Sequence, residues 1–393
     1  MSHSVILGGA RTPFGKLNGS LASRSGVDLG IVALKGAISR SGVDNATIEH
    51  VLFGQVLQGG AGQNPARQVS FGAGLDRTVT SETINHVCGS GIRAVGMADM
   101  AIRLGDQKVI ATGGMDSMTN APYFLRGARG GYRMGDGKLE DMMMVDGLWC
   151  AIDHCMMGIH GGNVAAENGV TREEQDAWAL RSHQRALAAI DSGWMGRQIV
   201  PVDVVGKKST TIVDTDESPR RDTSTEALAK LKPAFAPEAS VTAGNAPGVN
   251  DGASAMIVAD EAWATSEGLA IRARVLGHAQ AAWDAPYLAY TPAMATEKAL
   301  KRAGLTVADV DLFEINEAFA SVTLISAGKL GADLDKVNIH GGAIALGHPL
   351  AASGGRILLS LIESLHDMGG GIGVAAICTG GGQGDAIVIQ VDA

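Results

Sequence analysis

Two cysteines, Cys88 and Cys378, stand in glycine-rich turns beside apolar segments. The turns read Asn85-His86-Val87-Cys88-Gly89-Ser90-Gly91 and Cys378-Thr379-Gly380-Gly381-Gly382-Gln383-Gly384. Glycine lets a backbone pass close to a ligand and aim its N–H groups inward, so a thiol held there is placed for chemistry. After Cys88, apolar residues fall at Ala94, Met97, Ala98, Ala101 and Ile102, a helical spacing. A helix starting there brings free N–H groups and a positive dipole end to the sulfur, which favours thiolate. The rival reading of Cys88 is a buried, inert thiol, and the local residues leave both open. His348 lies in a third glycine-rich loop, Gly341-Gly342-Ala343-Ile344-Ala345-Leu346-Gly347-His348-Pro349, with Gly before and Pro after fixing a turn. A histidine on such a loop is a natural base for a nearby thiol; the rival is a histidine satisfied by backbone, which suits His340 better. One sulfur acting as nucleophile and the other as acid/base is the chemistry these parts suggest.

Other groups say less by themselves. Asn316-Glu317-Ala318-Phe319 follows the apolar run Val310-Asp311-Leu312-Phe313. Asn can orient a water or donate to an oxyanion, and Asn-Glu is also an ordinary helix N-cap. Cys150 and Cys155 flank His154, with His160 nearby, but the spacing matches no common zinc pattern and no metal is expected. Met142-Met143-Met144 and Met156-Met157 are expected to line an apolar wall.

These residues need elements to hold them. Strand-like Val5-Ile6-Leu7, a helical stretch over 29–37, strand-like Val51-Leu52-Phe53 and a buried strand from Lys108 that ends in Gly113-Gly114 alternate along the chain. That order implies βαβ units and a largely parallel sheet. Ser90-Gly91-Ile92-Arg93 and Ser353-Gly354-Gly355-Arg356 each start a helix, the second running over 357–365. Each helix is followed by a strand and a Gly-Gly pair, the second strand covering 373–377 before Gly380-Gly381. Two related α/β halves account for the repeat; the rival is chance in a chain with 54 glycines. Residues 119–248 are richer in Met, charge and Pro and read as an insertion that covers a ligand. Within it, 127–137 reads as a loop, Thr171-Arg172-Glu173-Glu174 as a capping box opening a helix, and 202–215 as a hairpin around Gly206-Lys207.

Composition bounds the function. The chain has 393 residues, enough for two or three domains. With 46% hydrophobic but only 4% aromatic residues, its core must be aliphatic and alanine-rich, as in layered α/β proteins. A net charge of −9 argues against nucleic-acid binding. Local clusters such as Arg220-Arg221 and Lys207-Lys208 either meet a phosphate-bearing ligand or form solvated surface. Four cysteines make no disulfide framework, so a reducing compartment fits. No apolar run reaches transmembrane length, Met1-Ser2-His3 leaves no room for a leader, and the C-terminus is not a Ser-Lys-Leu address. A cytoplasmic protein without membrane or nucleic-acid partners is expected.

Taken together, these segments resemble the thiolase family over essentially the whole chain. The resemblance is carried by Gly9-Ala10-Arg11-Thr12-Pro13-Phe14-Gly15, Gly62-Gln63-Asn64-Pro65-Ala66-Arg67-Gln68, the Cys88 turn, Asn316-Glu317-Ala318-Phe319-Ala320, the His348 loop and the Cys378 turn. It implies a five-layered αβαβα fold. The N-terminal core half would comprise 1–118 and 249–271, the C-terminal half 272–393, and an inserted loop domain 119–248. It implies acetyl-CoA acetyltransferase activity, a reversible Claisen condensation of two acetyl-CoA to acetoacetyl-CoA and CoA, with coenzyme A thioesters as substrates and no permanently bound cofactor. Cys88 is then the nucleophile that becomes acylated, His348 its base, and Cys378 the acid/base at the α-carbon. Asn316 holds a water that forms one oxyanion hole with His348; the N–H groups of Cys88 and Gly380 form the other. Coenzyme contacts carry over to Arg220 near the adenine nucleotide, to Ala243 and Pro247 beside the pantetheine, and to Leu148, Met157, Ala318 and Phe319.

Three positions depart from the family pattern. Pro247 replaces a Ser, removing a hydroxyl and an N–H. Met156 stands where biosynthetic members carry His, and Leu288-Ala289-Tyr290-Thr291-Pro292 replaces Met-Gly-x-Gly-Pro. These leave acyl length open, so a degradative 3-ketoacyl-CoA thiolase is the nearest rival. A β-ketoacyl synthase would carry His in place of Cys378, a non-catalytic acyl-CoA carrier would lack Cys88, His348 or Cys378, and a dithiol redox protein would need the two sulfurs to bridge. The loop over 127–137 falls where family members carry a tetramerisation loop, and a homotetramer is expected.

Overall fold

The computed structural model describes residues 3–237 and 239–393. The chain opens with β1 (Ser4–Arg11), β2 (Gly15–Lys16), α1 (Gly26–Ser41), β3 (His50–Gly54), α2 (Pro65–Ala73), β4 (Thr80–Ile84), α3 (Ser90–Leu104) and β5 (Val109–Ser117). An irregular stretch follows, holding β6 (Tyr123–Leu125), β7 (Leu139–Asp141), β8 (Trp149–Cys150), β9 (Cys155–Met156), α4 (Met157–Glu167), α5 (Arg172–Asp191), β10 (Val202–Val205), β11 (Thr210–Val213) and α6 (Thr225–Ala229). Next come β12 (Asn250–Asp260), α7 (Glu261–Ser266), β13 (Ala273–Ala282), α8 (Thr291–Ala303), β14 (Leu312–Ile315), α9 (Ala320–Leu330), α10 (Ala343–Leu346), α11 (Ser353–Asp367), β15 (Gly371–Thr379) and β16 (Gln383–Val391).

One ten-stranded sheet runs β14-β15-β16-β13-β1-β12-β5-β3-β4, with β2 on β12. Each half is built alike. β3 lies parallel between β4 and β5, and β12 runs antiparallel to β5 and β1. In the second half β14 is parallel to β15, and β16 runs antiparallel to β15 and β13. A single bridge from Phe313 to Val337 stands where β4 stands in the first half. β1 and β13 join the halves antiparallel, Ser4–Ile6 against Ala273–Val275. The strands inside this stack are near-continuous apolar runs, as in β5 and β12, because helices cover both faces.

Helices α1 and α2 cover one outer face around Leu29, Leu34, Phe53 and Val69. Helices α8 and α9 cover the other around Phe313, Ala295 and Val388. Helices α3 and α11 lie between the halves, packing Ile92, Val95, Ile357 and Leu361 against both. The order is helix, sheet, helix, sheet, helix, the five layers expected. The two central helices meet at their N-termini through glycine. A Cβ on Gly91 would lie 2.7 Å from the Ala351 carbonyl oxygen, and one on Gly354 would lie 2.5 Å from the Ile92 nitrogen.

The Ser90 and Ser353 helix starts do correspond, but the Gly-Gly pairs do not. β5 runs on through Gly113-Gly114 to Ser117, whereas Gly380-Gly381 follow the end of β15. Gly114 is buried in the stack, where a Cβ would sit 1.9 Å from the Ala351 carbonyl oxygen. Asn316-Glu317 is not a helix cap either: α9 begins at Ala320. The capping box at Thr171 and the β10–β11 hairpin form as expected. Residues 126–138 link β6 to β7 as an exposed loop. Among the described residues no helix is long and apolar enough to cross a membrane.

Candidate active site

Cys88 sits one residue before the N-cap of α3, in a turn held under strain. Val87 has φ +46, in the left-handed region that a β-branched residue avoids. Ser90 Oγ accepts from the His86 N–H at 2.8 Å and donates to the Val87 carbonyl at 2.7 Å, and Asn85 Oδ1 accepts from the Val87 N–H at 3.0 Å. His86 Nε2 also lies 2.7 Å from Asp385 Oδ2 on β16. The neighbouring strand β15 carries Cys378, which pairs directly with Gly384. The first thiol's turn is thereby tied to the second thiol's strand pair.

His348 is placed by the loop between α10 and α11. Its N–H donates to Asn250 Oδ1 at 2.9 Å, and the Asn250 side chain lies flat under Gly347, whose φ is +108. His348 Nδ1 lies 2.6 Å from Ser353 Oγ, and Ser353 Oγ lies 3.5 Å from the Pro349 carbonyl. With Nδ1–H donating to Ser353 and Ser353 donating to Pro349, Nε2 keeps its lone pair. Asp116 steadies the same loop from β5, accepting from the N–H groups of Val56, Leu57 and Ala351 at 3.1, 2.9 and 2.8 Å.

Asn316 follows β14 and is fully buried. Arg356 Nη2 donates to its Oδ1 at 3.2 Å, which leaves Nδ2 as the free end of the amide. Among the described residues Asn316 Nδ2 and His348 Nε2 are both buried without a hydrogen-bond partner. Glu317 holds the His348 loop from below. Its carboxylate accepts from Trp178 Nε1, Ser182 Oγ, Asn338 Nδ2 and the Ile344 N–H at 2.7–3.0 Å.

Burial dominates the electrostatics. It pushes the Cys88 thiol up to about 12, with the Asp116 charge adding, against the N–H groups of Cys88 and Gly380 that favour thiolate. The Cys378 thiol is raised well above its ordinary value by burial and by Cys88. Burial, with Arg356 second, lowers His348 to about 3. Burial therefore works against the helix start at Cys88 and favours the neutral thiol and the neutral imidazole. Asp116 itself is raised to about 7 by burial, against its N–H donors.

A cavity of about 550 Å³ joins the two thiols and His348, while Asn316 is not on its wall. Cys88, His348, Cys378 and Gly380 line it, together with Leu148, Met157, Pro247, Ala318 and Phe319. Its remaining wall is apolar and rich in methionine, with Met118, Met144 and Met156 beside Leu288. The departures Met156, Pro247 and Leu288 thus all face one space. Arg220 and Ala243 lie elsewhere, on a second cavity of about 220 Å³ with Lys16, His183 and Ser218. The two cavities share Ala246, Gly248 and Val249. Arg221 pairs with Asp191 at 2.9 Å, while the Arg220 guanidinium pairs with no acid among the described residues. His86, Asp116, Asn250, Arg356 and Asp385 were not singled out from the sequence, because each is an isolated polar residue with a partner far along the chain.

Family models match both parts of the chain: the thiolase N-terminal domain over residues 4–262 and the thiolase C-terminal domain over 269–391. The chain is 47% identical over 391 residues to an acetyl-CoA acetyltransferase of Escherichia coli K12, covering 99% of each. It is 45% identical over 393 residues to one of Pseudomonas aeruginosa, covering 100% of each. The crystal structure of Bacillus anthracis acetyl-CoA acetyltransferase matches the fold with a TM-score of 0.97 at 39% identity, covering 100% of this chain and 99% of that one. By fold, site geometry and full-length similarity, the chain belongs to the thiolase family.

Proposed function

We infer that the protein is an acetyl-CoA acetyltransferase that condenses two acetyl-CoA to acetoacetyl-CoA and CoA, and runs the reverse thiolysis. The observation that carries the reading is the meeting of Cys88, His348, Cys378 and Gly380 on one cavity. A carrier on this fold has no use for two thiols and a base in one space.

The proposed sequence keeps every proton accounted for. Cys88 gives its proton to His348 Nε2 as its sulfur attacks the carbonyl carbon of acetyl-CoA. The resulting oxyanion takes hydrogen bonds from preorganised donors. Collapse breaks the bond to the coenzyme sulfur, and Cys378 protonates that sulfur, so CoA departs and Cys378 is left as thiolate. Cys378 then removes an α-proton from a second acetyl-CoA. The enolate carbon attacks the acetyl carbonyl on Cys88 and expels the Cys88 sulfur, which recovers its proton from His348. The N–H groups of Cys88 and Gly380 serve one oxyanion; His348 and a water held by Asn316 serve the other. Asn316 Nδ2 and His348 Nε2, both buried without protein partners, suit that water.

Coenzyme A thioesters are proposed as substrates, with the acyl and pantetheine parts against Leu148, Met157, Pro247, Ala318 and Phe319. The nucleotide would extend past Ala243 to Arg220, whose guanidinium suits a phosphate. A homotetramer built through residues 127–137 and a cytoplasmic location complete the proposal. The methionine-rich wall favours tolerance of acyl groups longer than acetyl, because methionine repacks readily. Thiolysis rates across 3-ketoacyl-CoA lengths test the assignment. Highest kcat/KM on acetoacetyl-CoA is expected; equal or better values on long chains would move the protein to the degradative class.

A further inference from the structure

Outside the reaction cavity, four metal-ligating side chains converge at the β8–β9 ribbon. Cys150 and Cys155 are direct partners across that antiparallel pair, which puts their Cβ atoms about 4.5–5.5 Å apart. The turn between them carries Asp153, whose N–H donates to Cys150 Sγ at 3.5 Å. The first turn of α4 then brings His160 back over the ribbon. Its Nε2 lies 3.1 Å from Cys155 Sγ and 3.2 Å from Asp153 Oδ2. Ligand atoms of Cys150, Asp153 and His160 all lie within 4.8 Å of one another. Cys150 and His160 are buried while Asp153 reaches solvent, so the group has a fixed inner wall and an open side. Both cysteines are free. His160 Nδ1 has no partner among the described residues, so the ring's polar contacts are all made by Nε2 toward this group.

We propose that Cys150, Asp153, Cys155 and His160 form a tetrahedral Zn²⁺ site that braces the β8–β9 ribbon. Zn–S bonds of about 2.3 Å and Zn–N and Zn–O bonds of about 2.0–2.2 Å require ligand separations of roughly 3.2–3.8 Å in a tetrahedron. The His160 contacts already stand near that range. Cys155 Sγ, 3.1 Å from His160 Nε2 and on the strand position directly opposite Cys150, supplies the fourth ligand. A single imidazole nitrogen serves a thiol and a carboxylate poorly, whereas a cation between them takes the nitrogen lone pair, both thiolates and the carboxylate together. This revises the expectation that the segment binds no metal. The spacing hid the site because one ligand comes from a ribbon turn and another from the next helix. His154, flagged in the sequence, is exposed with φ +51 and takes no part. β9 continues into Met156 and Met157 on the cavity wall, so the ion would stiffen that wall without touching the reaction.

Co²⁺ titration of the reduced, chelator-treated full-length protein tests this. One equivalent giving thiolate charge-transfer and tetrahedral d–d absorption, displaced by Zn²⁺, is expected. The signal should persist in the Cys88→Ser/Cys378→Ser variant, vanish in Cys150→Ser/Cys155→Ser, and weaken in His160→Ala. Should the cysteine variants misfold, wild-type protein with and without Zn²⁺ is alkylated with iodoacetamide and read by peptide mass spectrometry. Protection of Cys150 and Cys155 by one equivalent of Zn²⁺ is expected. Absence of tetrahedral absorption, its loss with Cys88→Ser/Cys378→Ser, or equal labelling of Cys150 and Cys155 with and without Zn²⁺ would overturn the proposal.

Discussion

Cys88 is a buried thiol with its pKa pushed up to about 12, and the chemistry proposed for it needs the thiolate. The expected source of its reactivity is proton transfer to His348 during attack, not a resting ion pair. Iodoacetamide labelling of Cys88 in the free enzyme should keep rising with pH through the alkaline range, as the thiolate fraction does. A plateau beginning near neutrality would mean that Cys88 and His348 rest as an ion pair. The acid side carries a matching expectation. His348 is lowered to about 3, so it stays a neutral base as pH falls through the ordinary histidine range near 6.5. Protonation of His348 should then produce no acid limb in kcat/KM between pH 6.5 and 5, read against the same profile for the Cys378→Ala half-reaction. The residue types at these positions were legible in the sequence, as were the three glycine-rich turns. Their ionisation was not, because it depends on burial and on the charges of Asp116 and Arg356, which only the folded chain brings against them.

At the scale of elements, the site depends on how closely α3 and α11 start beside one another. Gly91 and Gly354 allow it, and the Cys88 turn and the His348 loop lead directly into these two helices. A methyl group on Gly91 would meet the Ala351 carbonyl oxygen at 2.7 Å and the Gly355 nitrogen at 2.9 Å, both backbone atoms. Gly91→Ala should cost about 1–3 kcal/mol or more, read as a lower denaturant midpoint at unchanged slope, and should lower kcat more than it raises KM. The paired helix starts were readable as a Ser-Gly repeat, since both copies need small residues at the same crossing. The Gly-Gly pairs misled: Gly113-Gly114 serve close packing inside β5, while Gly380-Gly381 serve a turn. Asn316-Glu317 looked like a cap because capping is local. Its actual partners, Arg356 and the His348 loop, are long-range and leave no local trace.

At the scale of the whole molecule, the duplicated halves supply the reacting groups and the irregular stretch between β5 and β12 supplies much of the cavity wall. The α/β alternation of the two halves was legible in the strand and helix patterns and the five-layer order only through the family resemblance, whereas the insertion's path was not legible, since short ribbons and turns carry little periodicity. Its β6–β7 loop is exposed, with Met134 95% accessible beside Tyr132. Replacing residues 127–137 by a short Gly-Ser linker should convert the proposed tetramer to a dimer in light scattering while each protomer keeps its fold; an unchanged mass would remove this loop from the assembly. Met156, Pro247 and Leu288 share one wall, so Leu288→Met with Met156→His should narrow the acyl range, read as a fall in kcat/KM for longer 3-ketoacyl-CoAs relative to acetoacetyl-CoA. The central claim is that Cys88 alone carries the acyl group while Cys378 moves the proton. Intact-protein and peptide mass spectrometry after brief mixing with acetyl-CoA tests it most directly. One acetyl group on Cys88 in wild type and in Cys378→Ala, and none in Cys88→Ala, is the predicted result; an acetyl group on Cys378, or no adduct on Cys88 in a protein that still binds CoA, would contradict it.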